Sequence, residues 1–453
     1  MKRMVFLLTF SAVFQAHCGA QGIYPDRNPL VAQMVNEVSL TNLREDIDKL
    51  VSFGTRQTFS IQTNKKKGIG AAREWVAGQF LQDAQTSGGR MTVRMDRWLQ
   101  NPDSSRRPRY KPTELVNVIA TLRGTDTADH RIFLVSGHLD SRRSDVMDSE
   151  KAAPGANDDG SGVAALLEMA RILSRQPFPA TIMFVAFTGE EQGLFGSRHL
   201  AALARDSSWD ITAMINNDMI GQDNSSETDL VDNTPVRVFS EGIPMKETPA
   251  MAAARRAMSG ENDSKSRELA RYIKEICSDY VDNLEVELIY RPDRFLRGGD
   301  HQPFAAQGYT AVRITTYYEN YYHQHQDPRI EKGIEYGDLP KFMDFEYLRK
   351  NTCLNLATVA CLAAAPAVPR GVKIDVSRLS NDSRLFWDPP ASGRAAGYLV
   401  LMRETDQPMW QKRFFTRDLQ MTVPYSRDNY FFAVQAVSSE GLKSLPVFPS
   451  IGR

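Results

Sequence analysis

The stretch from His138 to Glu191 constrains this chain more than any other feature of its sequence. It contains three segments, VSGHLDSRR, GANDDGSGVAALLEMARIL and TIMFVAFTGEEQGLFGS, that place acidic or imidazole groups beside apolar runs. In an α/β fold, strands deliver such groups to one edge of a sheet. The layout therefore predicts a metal-dependent hydrolase.

Strand and helix patterns alternate around this stretch. Residues 131–136, 181–187 and 211–216 have the apolar character of buried strands, and helical patterns follow the Gly155–Gly162 loop and Ser197. Alternating strands and helices favour a sheet with helices on both faces. We therefore predict the α/β class, with three layers and a mixed, mostly parallel sheet.

The length of 453 residues suggests two domains. The tract AAAPAVP indicates a linker, residues 366–370, between a catalytic domain of residues 21–365 and a small all-β sandwich of residues 371–453. Trp387, Tyr398 and the segment YFFAVQAVSSEGLKS resemble a fibronectin type III module. Periodicity weakens over residues 221–300, which could form a cap that selects the substrate.

The N-terminus has the pattern of a secretory signal. Residues 1–20 combine MKR, an apolar run too short to span a bilayer, and small residues before Gln21. We therefore predict a secreted or periplasmic protein with no transmembrane segment. Lys+Arg and Asp+Glu balance at 55 each, which argues against nucleic acid as a partner.

Three cysteines would follow the signal: Cys277, Cys353 and Cys361. None has the CxxC spacing of a zinc ligand, and three cysteines allow at most one disulfide. We expect them to be buried as small apolar side chains.

The ligand types suit zinc. His138, Asp158, Glu191, Asp218 and one late histidine provide two imidazoles and three carboxylates. Three carboxylates and a hydroxide would balance two divalent cations. The adjacent Glu190 and Glu191 point in different directions, so one can bind metal while the other accepts a proton from water.

The motifs GHLDS, GANDDGSG, GEEQGLFGS, NNDMIG and a late YH together resemble the di-zinc exopeptidases of peptidase family M28, which include leucyl-type aminopeptidases. The resemblance runs from about residue 39 to residue 365. It implies that one zinc binds to His138 and Asp218, and the other to Glu191 and the late histidine, with Asp158 bridging both.

The same resemblance implies that Glu190 is the general base and that Asp140 orients His138. Asp159 is expected to cap the following helix.

The late histidine lies in YYHQHQD, which contains both His323 and His325. An aspartate four residues after the ligand is typical of the family, and Asp327 has that spacing from His323. Tyr322 would then occupy the position of a tyrosine that stabilises the oxyanion. We predict His323 as the ligand, with His325 as the alternative. His301 is expected either near the site or packed in the core.

These features predict an aminopeptidase that acts on peptides or proteins with two Zn²⁺ ions. A carboxypeptidase would need a basic pocket, for which Arg294, Arg297 and Arg313 are candidates. A glutaminyl-cyclase-like transferase with one zinc, and a binding protein without activity, are disfavoured because all five ligand positions are retained.

Overall fold

The computed structural model describes residues 27–102 and 110–452. The predicted signal peptide, residues 1–20, lies outside these ranges. No helix within the described ranges has the length and apolarity that a membrane crossing requires.

The N-terminal part of the chain is built around one eight-stranded sheet. Its strands are β1 Met91–Gln100, β2 Thr113–Leu122, β3 Arg131–His138, β4 Thr181–Phe187, β5 Asp210–Asn217, β6 Pro235–Ser240, β7 Glu285–Ile289 and β8 Ala311–Thr316. They are arranged in the order β1-β2-β4-β3-β5-β8-β6-β7. The pairs β3/β4, β3/β5, β5/β8 and β6/β7 are parallel, and the other three are antiparallel. The sheet is therefore mixed, with a parallel centre.

Helices cover both faces of this sheet, because alternate residues of its central strands are apolar on either side. In β3, Phe133 and Val135 face one core, whereas Leu134 faces the other. The helices are α1 Pro29–Asn36, α2 Leu40–Ser52, α3 Gly68–Thr86, α4 Gly160–Leu173, α5 Phe195–Asp206, α6 Pro249–Ala257, α7 Lys265–Tyr280, α8 His301–Ala306 and α9 Phe345–Ala364. Helices α5 and α8 lie on the second face, and α1 to α4, α7 and α9 pack on the first.

Residues 221–300, predicted as a possible cap, contribute two strands to the main sheet. Strands β6 and β7 from this range extend the sheet beyond β8, and α7 buries an apolar stripe on the first face. Within the range, only the loop residues 294 and 296–298 line the cavity described below.

The apolar spacing of residues 36–53 and 338–365 predicts two helices, but α2 and α9 begin later than these patterns. The Ser39 hydroxyl accepts a hydrogen bond from the Asn42 N–H and starts α2. The Asp344 carboxylate caps α9 in the same way. Because side-chain caps fix a helix start independently of apolar spacing, periodicity alone placed both starts too early. The prediction for the cysteines is confirmed: Cys277, Cys353 and Cys361 are free and buried.

The C-terminal part contains two small sheets around a shared core that includes Trp387 and Tyr398. A short hairpin of β9 Arg329–Glu331 and β10 Ile334–Tyr336 precedes α9. The C-terminal strands are β11 Arg370–Asp375, β12 Ser383–Asp388, β13 Gly397–Glu404, β14 Lys412–Thr416, β15 Gln420–Val423, β16 Tyr430–Val437 and β17 Ser450–Gly452. The first sheet has the order β15-β12-β11-β17 and the second β14-β13-β16. This module is bound to α7 and the residues before it: Arg403 pairs with Asp263 at 2.7 Å, and the indole of Trp410 donates to Glu268 at 3.0 Å.

Candidate metal centre

The predicted ligands converge because three central strands are parallel. Strands β4, β3 and β5 are neighbours in the sheet, so their C-terminal ends lie at one edge. His138 ends β3 opposite Phe187, the last residue of β4, and Asp218 directly follows β5. Asp158 reaches the same edge from the loop that precedes α4.

Two groups of possible metal ligands share one carboxylate. The first consists of His138, Asp158 and Asp218, and the second of Asp158, Glu191 and His325, as found in the described part of the chain. Asp158 Oδ1 lies 3.1 Å from His138 Nε2, and Asp158 Oδ2 lies 2.8 Å from His325 Nε2. Glu191 Oε1 is 3.3 Å from His325 Nε2. Asp158 therefore has the position of a bridging ligand.

The late histidine in this cluster is His325, which corrects the prediction of His323. The His323 ring stacks on Phe342 with centroids 3.7 Å apart. Its Nδ1 lies 2.7 Å from the amide nitrogen of Gln222. His325 adopts a left-handed backbone conformation, with φ of 55°, next to the ligand cluster.

The residues that supported the choice of His323 have other contacts. Tyr322 packs edge-on against Tyr336, with ring centroids 5.5 Å apart, and is not among the residues that line the cavity over the cluster. Asp327 forms an ion pair with Arg143 at 2.7 Å. The predicted role of Tyr322 at the oxyanion therefore finds no support in this geometry.

Asp140 supports both His138 and the loop that carries the paired glutamates. Its backbone carbonyl lies 3.0 Å from His138 Nδ1. Its carboxylate accepts hydrogen bonds from the N–H groups of Gly189, Glu190 and Glu191. Asp140 therefore orients the imidazole through its carbonyl, while its side chain positions the loop after β4.

Two further aspartates position the backbone around Asp158. Asp159 caps α4 through the Gly162 N–H at 2.9 Å, which confirms the capping prediction, and also accepts from the His138 N–H at 2.9 Å. Asp338 accepts from the N–H of Asp158 at 2.7 Å. Sequence patterns placed Asp338 in a helix and missed this contact.

Burial and close charges shift the pKa values of Glu190 and His325 in the cluster. Burial raises the pKa of Glu190 well above its ordinary value, and the nearby carboxylates of Asp218 and Glu191 act in the same direction. Burial would lower the pKa of His325, but Glu191 and Asp158 outweigh it and raise the pKa to about 9.

The donor set fits divalent cations. Glu191 Oε1 is buried, makes no well-aligned hydrogen bond and lies 3.3 Å from His325 Nε2. Burial of such an oxygen is costly unless a cation binds there. The Nδ1 of His138 lies against a backbone carbonyl, which leaves its Nε2 lone pair for the cluster. Imidazole and carboxylate donors without a thiolate suit zinc in a catalytic site.

A cavity of about 420 Å³ opens over the cluster. The carboxylates that line it are those of Asp158, Glu190, Glu191 and Asp218, and four guanidinium groups also line it: Arg142, Arg198, Arg294 and Arg297. Sequence reasoning named Arg294 and Arg297 but missed the other two. No sequence signal distinguishes Arg142 and Arg198 from ordinary surface arginines.

Two other predicted residues are packed rather than exposed to the cavity. Arg313 is buried, with its guanidinium 3.0 Å from Asp218 Oδ2 and 3.2 Å from Asp293 Oδ2. It is therefore not a residue of a basic pocket, as we had suggested, but a cation behind a metal-ligand candidate. His301 is buried with Nε2 2.7 Å from the Pro292 carbonyl, the packed alternative for this residue.

Comparison with known proteins gives consistent results. The family model described as "Peptidase family M28" matches residues 117–344. A "probable zinc metalloprotease" from Leptosphaeria maculans is 44% identical over 93% of this chain and 97% of its own length. Another from Pyrenophora tritici-repentis is 42% identical over 92% of this chain and 86% of its own.

Solved structures share the fold at low identity. The LapA aminopeptidase of Legionella pneumophila superposes with a TM-score of 0.53 at 18% identity, covering 76% of this chain and 77% of that chain. The glutaminyl cyclase of Macrostomum lignano gives a TM-score of 0.51 at 16% identity, covering 73% and 91%. Since peptidases and cyclases share this fold, these two matches do not distinguish between the activities.

Proposed function

Because this chain belongs to peptidase family M28, we propose that it is a two-zinc exopeptidase that removes residues from the N-terminus of peptides. The observation that carries the proposal is the pair of ligand groups joined at Asp158, with Glu190 beside them. The fungal relatives are named as zinc metalloproteases.

One ion would be held by His138 and Asp218 and the other by Glu191 and His325, with Asp158 between them. Bound zinc would supply a polarised scissile carbonyl and a water of lowered pKa. Glu190 would accept the proton of the attacking water and donate it to the leaving amine. Asp140 would keep His138 and the Glu190–Glu191 loop in place through the contacts described above.

A carboxypeptidase is the second candidate. Four arginines line the cavity, and the carboxylates that line it all belong to the proposed ligands or base. Guanidinium groups bind carboxylates in bidentate geometry. The terminal carboxylate of a substrate is therefore as well matched to this cavity as a free amine.

The two candidates are separated by one peptide prepared in free, N-acetylated and C-amidated forms. Each form is incubated with the zinc-loaded protein, and the products are identified by mass spectrometry. An aminopeptidase would remove N-terminal residues, and acetylation would block it. Trimming from the other end that amidation blocks would identify a carboxypeptidase. The Glu190→Gln protein, purified in the same way, controls for contaminating peptidases; if none of the forms is cut by the unaltered protein, the proposal is wrong.

We also propose that the protein is exported, on the basis of the signal-like pattern of residues 1–20. The C-terminal module is proposed to be fibronectin type III-like, based on Trp387, Tyr398 and its two-sheet arrangement. We assign no chemistry to this module.

A further inference from the structure

The rim of the cavity is strongly basic. We define the arginine rim as Arg142, Arg198, Arg294 and Arg297, which line the cavity together with the proposed ligands. Three different parts of the chain contribute them: the segment after β3, the first turns of α5 and the loop before α8. Any charged part of the substrate beyond the reacting bond would therefore meet guanidinium groups.

The charge of the arginine rim is only partly neutralised by the protein. Glu319 lies 3.1 Å from Arg294 and 3.2 Å from Arg297, and also pairs with Arg237 at 2.7 Å. Glu319 thus serves three guanidinium groups, and Asp293, which also pairs with Arg313, lies 3.4 Å from Arg294. Arg142 donates mainly to backbone carbonyls, with Glu191 at 3.9 Å.

Arg198 is the rim residue with the most free donors. It lies on α5, is exposed, and makes no side-chain hydrogen bond or ion pair within residues 27–102 and 110–452. Arg297, which lines the same cavity, keeps 31% of its side-chain surface exposed. A guanidinium that lines a cavity and has no ion pair to break can bind a carboxylate directly.

We propose that the arginine rim binds a substrate carboxylate within one or two residues of the scissile bond, with Arg198 as the main contact and Arg297 as the second. This inference rests on the proposed peptidase function and names its substrate class. The carboxylate could be the α-carboxylate of a short peptide or the side chain of an acidic residue, since both present the same two oxygens.

Four dipeptide substrates distinguish these sources at one scissile bond. Leu-Ala is compared with Leu-Ala-amide for the α-carboxylate, and Leu-Glu-amide with Leu-Gln-amide for the side chain. We expect kcat/KM to be roughly 10- to 100-fold higher for the charged member of at least one pair, since a hydrogen bond to a charged group has an effect of that size.

The variants assign the preference to Arg198. In Arg198→Gln, the ratio of kcat/KM between the charged and neutral substrates should fall close to one. Arg198→Lys should keep part of this ratio because the positive charge remains. The matched control is Arg205→Gln on the same helix, where the arginine pairs with Asp206 away from the cavity; its ratio should equal that of the unaltered protein. Turnover of all four substrates with equal kcat/KM, or a ratio unchanged in Arg198→Gln, would overturn the proposal.

A binding measurement separates this proposal from the peptidase function. Calorimetry of the same four dipeptides with zinc-loaded Glu190→Gln protein, with and without Arg198→Gln, does not depend on turnover. Arg198-dependent preference in binding, together with no turnover by the unaltered protein, would keep the carboxylate site and overturn the peptidase proposal. Turnover without preference would overturn the carboxylate site alone, and the absence of both would overturn both.

Discussion

The floor and the rim of the cavity are built in opposite ways. The floor consists of carboxylates and imidazoles that follow buried strands or lie in adjoining loops. The carboxylates of Asp140 and Asp338 hold the backbone there by accepting hydrogen bonds from its N–H groups. The rim consists of guanidinium groups on long, partly exposed side chains from a loop, a helix and a segment after a strand.

This difference separates two tasks. Metal binding and proton transfer require fixed geometry, which short side chains on strand ends provide. Substrate selection tolerates longer and more mobile side chains, because a guanidinium can reach a carboxylate from several directions. Changes to the floor should therefore abolish chemistry, whereas changes to the rim should shift preference or stability.

The largest effect is expected for Glu190→Gln. The amide cannot accept a proton, so kcat should fall by roughly 100- to 10,000-fold. Bound zinc, measured by elemental mass spectrometry, should stay unchanged, because Glu190 lies outside both ligand groups. Glu191→Gln is the matched comparison and should lose zinc instead. Unchanged kcat in Glu190→Gln would remove the base assignment.

A second large effect should distinguish the two late histidines. His325→Ala removes a ligand candidate and should weaken zinc binding by more than the roughly 10- to 100-fold that loss of an outer-sphere partner costs. His323→Ala removes a ring stacked on Phe342 and should leave zinc affinity nearly unchanged. Titration with a zinc buffer measures both, and a result with the roles exchanged would restore the choice of His323.

The floor was largely predictable from sequence because His138, Glu191 and Asp218 follow buried strands and Asp158 lies in a glycine-rich loop that opens a helix. The late histidine was not, because it lies in an irregular loop where two histidines are two residues apart. The spacing to Asp327 suggested His323, but Asp327 forms an ion pair with Arg143. The His325 ring lies at the cluster instead, and the backbone of His325 is left-handed there. Such a turn is set by tertiary contacts rather than by residue pattern.

The rim could not be assembled from sequence, because Arg142, Arg198 and Arg297 are far apart in the chain and no local pattern shows that they line one cavity. Arg313 shows the opposite error, because it was predicted to line the site but is buried in the sheet. It was proposed as part of a basic pocket, but its strand, β8, pairs with β5 inside the sheet and buries the side chain. The predicted cap range, residues 221–300, contains β6 and β7, short strands whose place beside β8 is likewise set by tertiary structure.

Arg313 is a buried cation beside the carboxylates of the floor. Arg313→Met therefore tests how far the stability of the floor depends on this positive charge. The change removes the guanidinium shared by the buried carboxylates of Asp218 and Asp293, although Asp293 keeps Arg294 at 3.4 Å. It should lower the free energy of unfolding by about 3 kcal/mol in metal-free protein. Urea unfolding with a chelator measures this. The loss should be smaller with zinc, which would supply positive charge to Asp218.

The control for this prediction is Arg205→Met, an exposed arginine on α5 that pairs with Asp206. Its effect should stay within about 0.5 kcal/mol. An equally small effect for Arg313→Met would mean that the floor does not depend on this cation.

The smallest effect is expected for Glu319, which forms ion pairs with Arg294 and Arg297 of the arginine rim. Burial would raise its pKa, but Arg294, Arg237 and Arg297 outweigh burial and lower the pKa from 4.5 to about 2. A carboxyl group whose pKa is lower in the folded state stabilises the fold above pH 4.5, and this stabilisation is lost as the pH falls toward 2. The unaltered protein should therefore exceed Glu319→Gln in unfolding free energy by on the order of 2 kcal/mol at about pH 6, and by less at about pH 3.

Urea unfolding of metal-free protein at both pH values measures this difference in unfolding free energy. The control is Glu331→Gln, which removes an exposed pair with Arg329 and should show no such dependence on pH. If the difference does not change with pH, Glu319 does not hold the rim through its charge, and backbone contacts of the loop must position Arg294 and Arg297 instead.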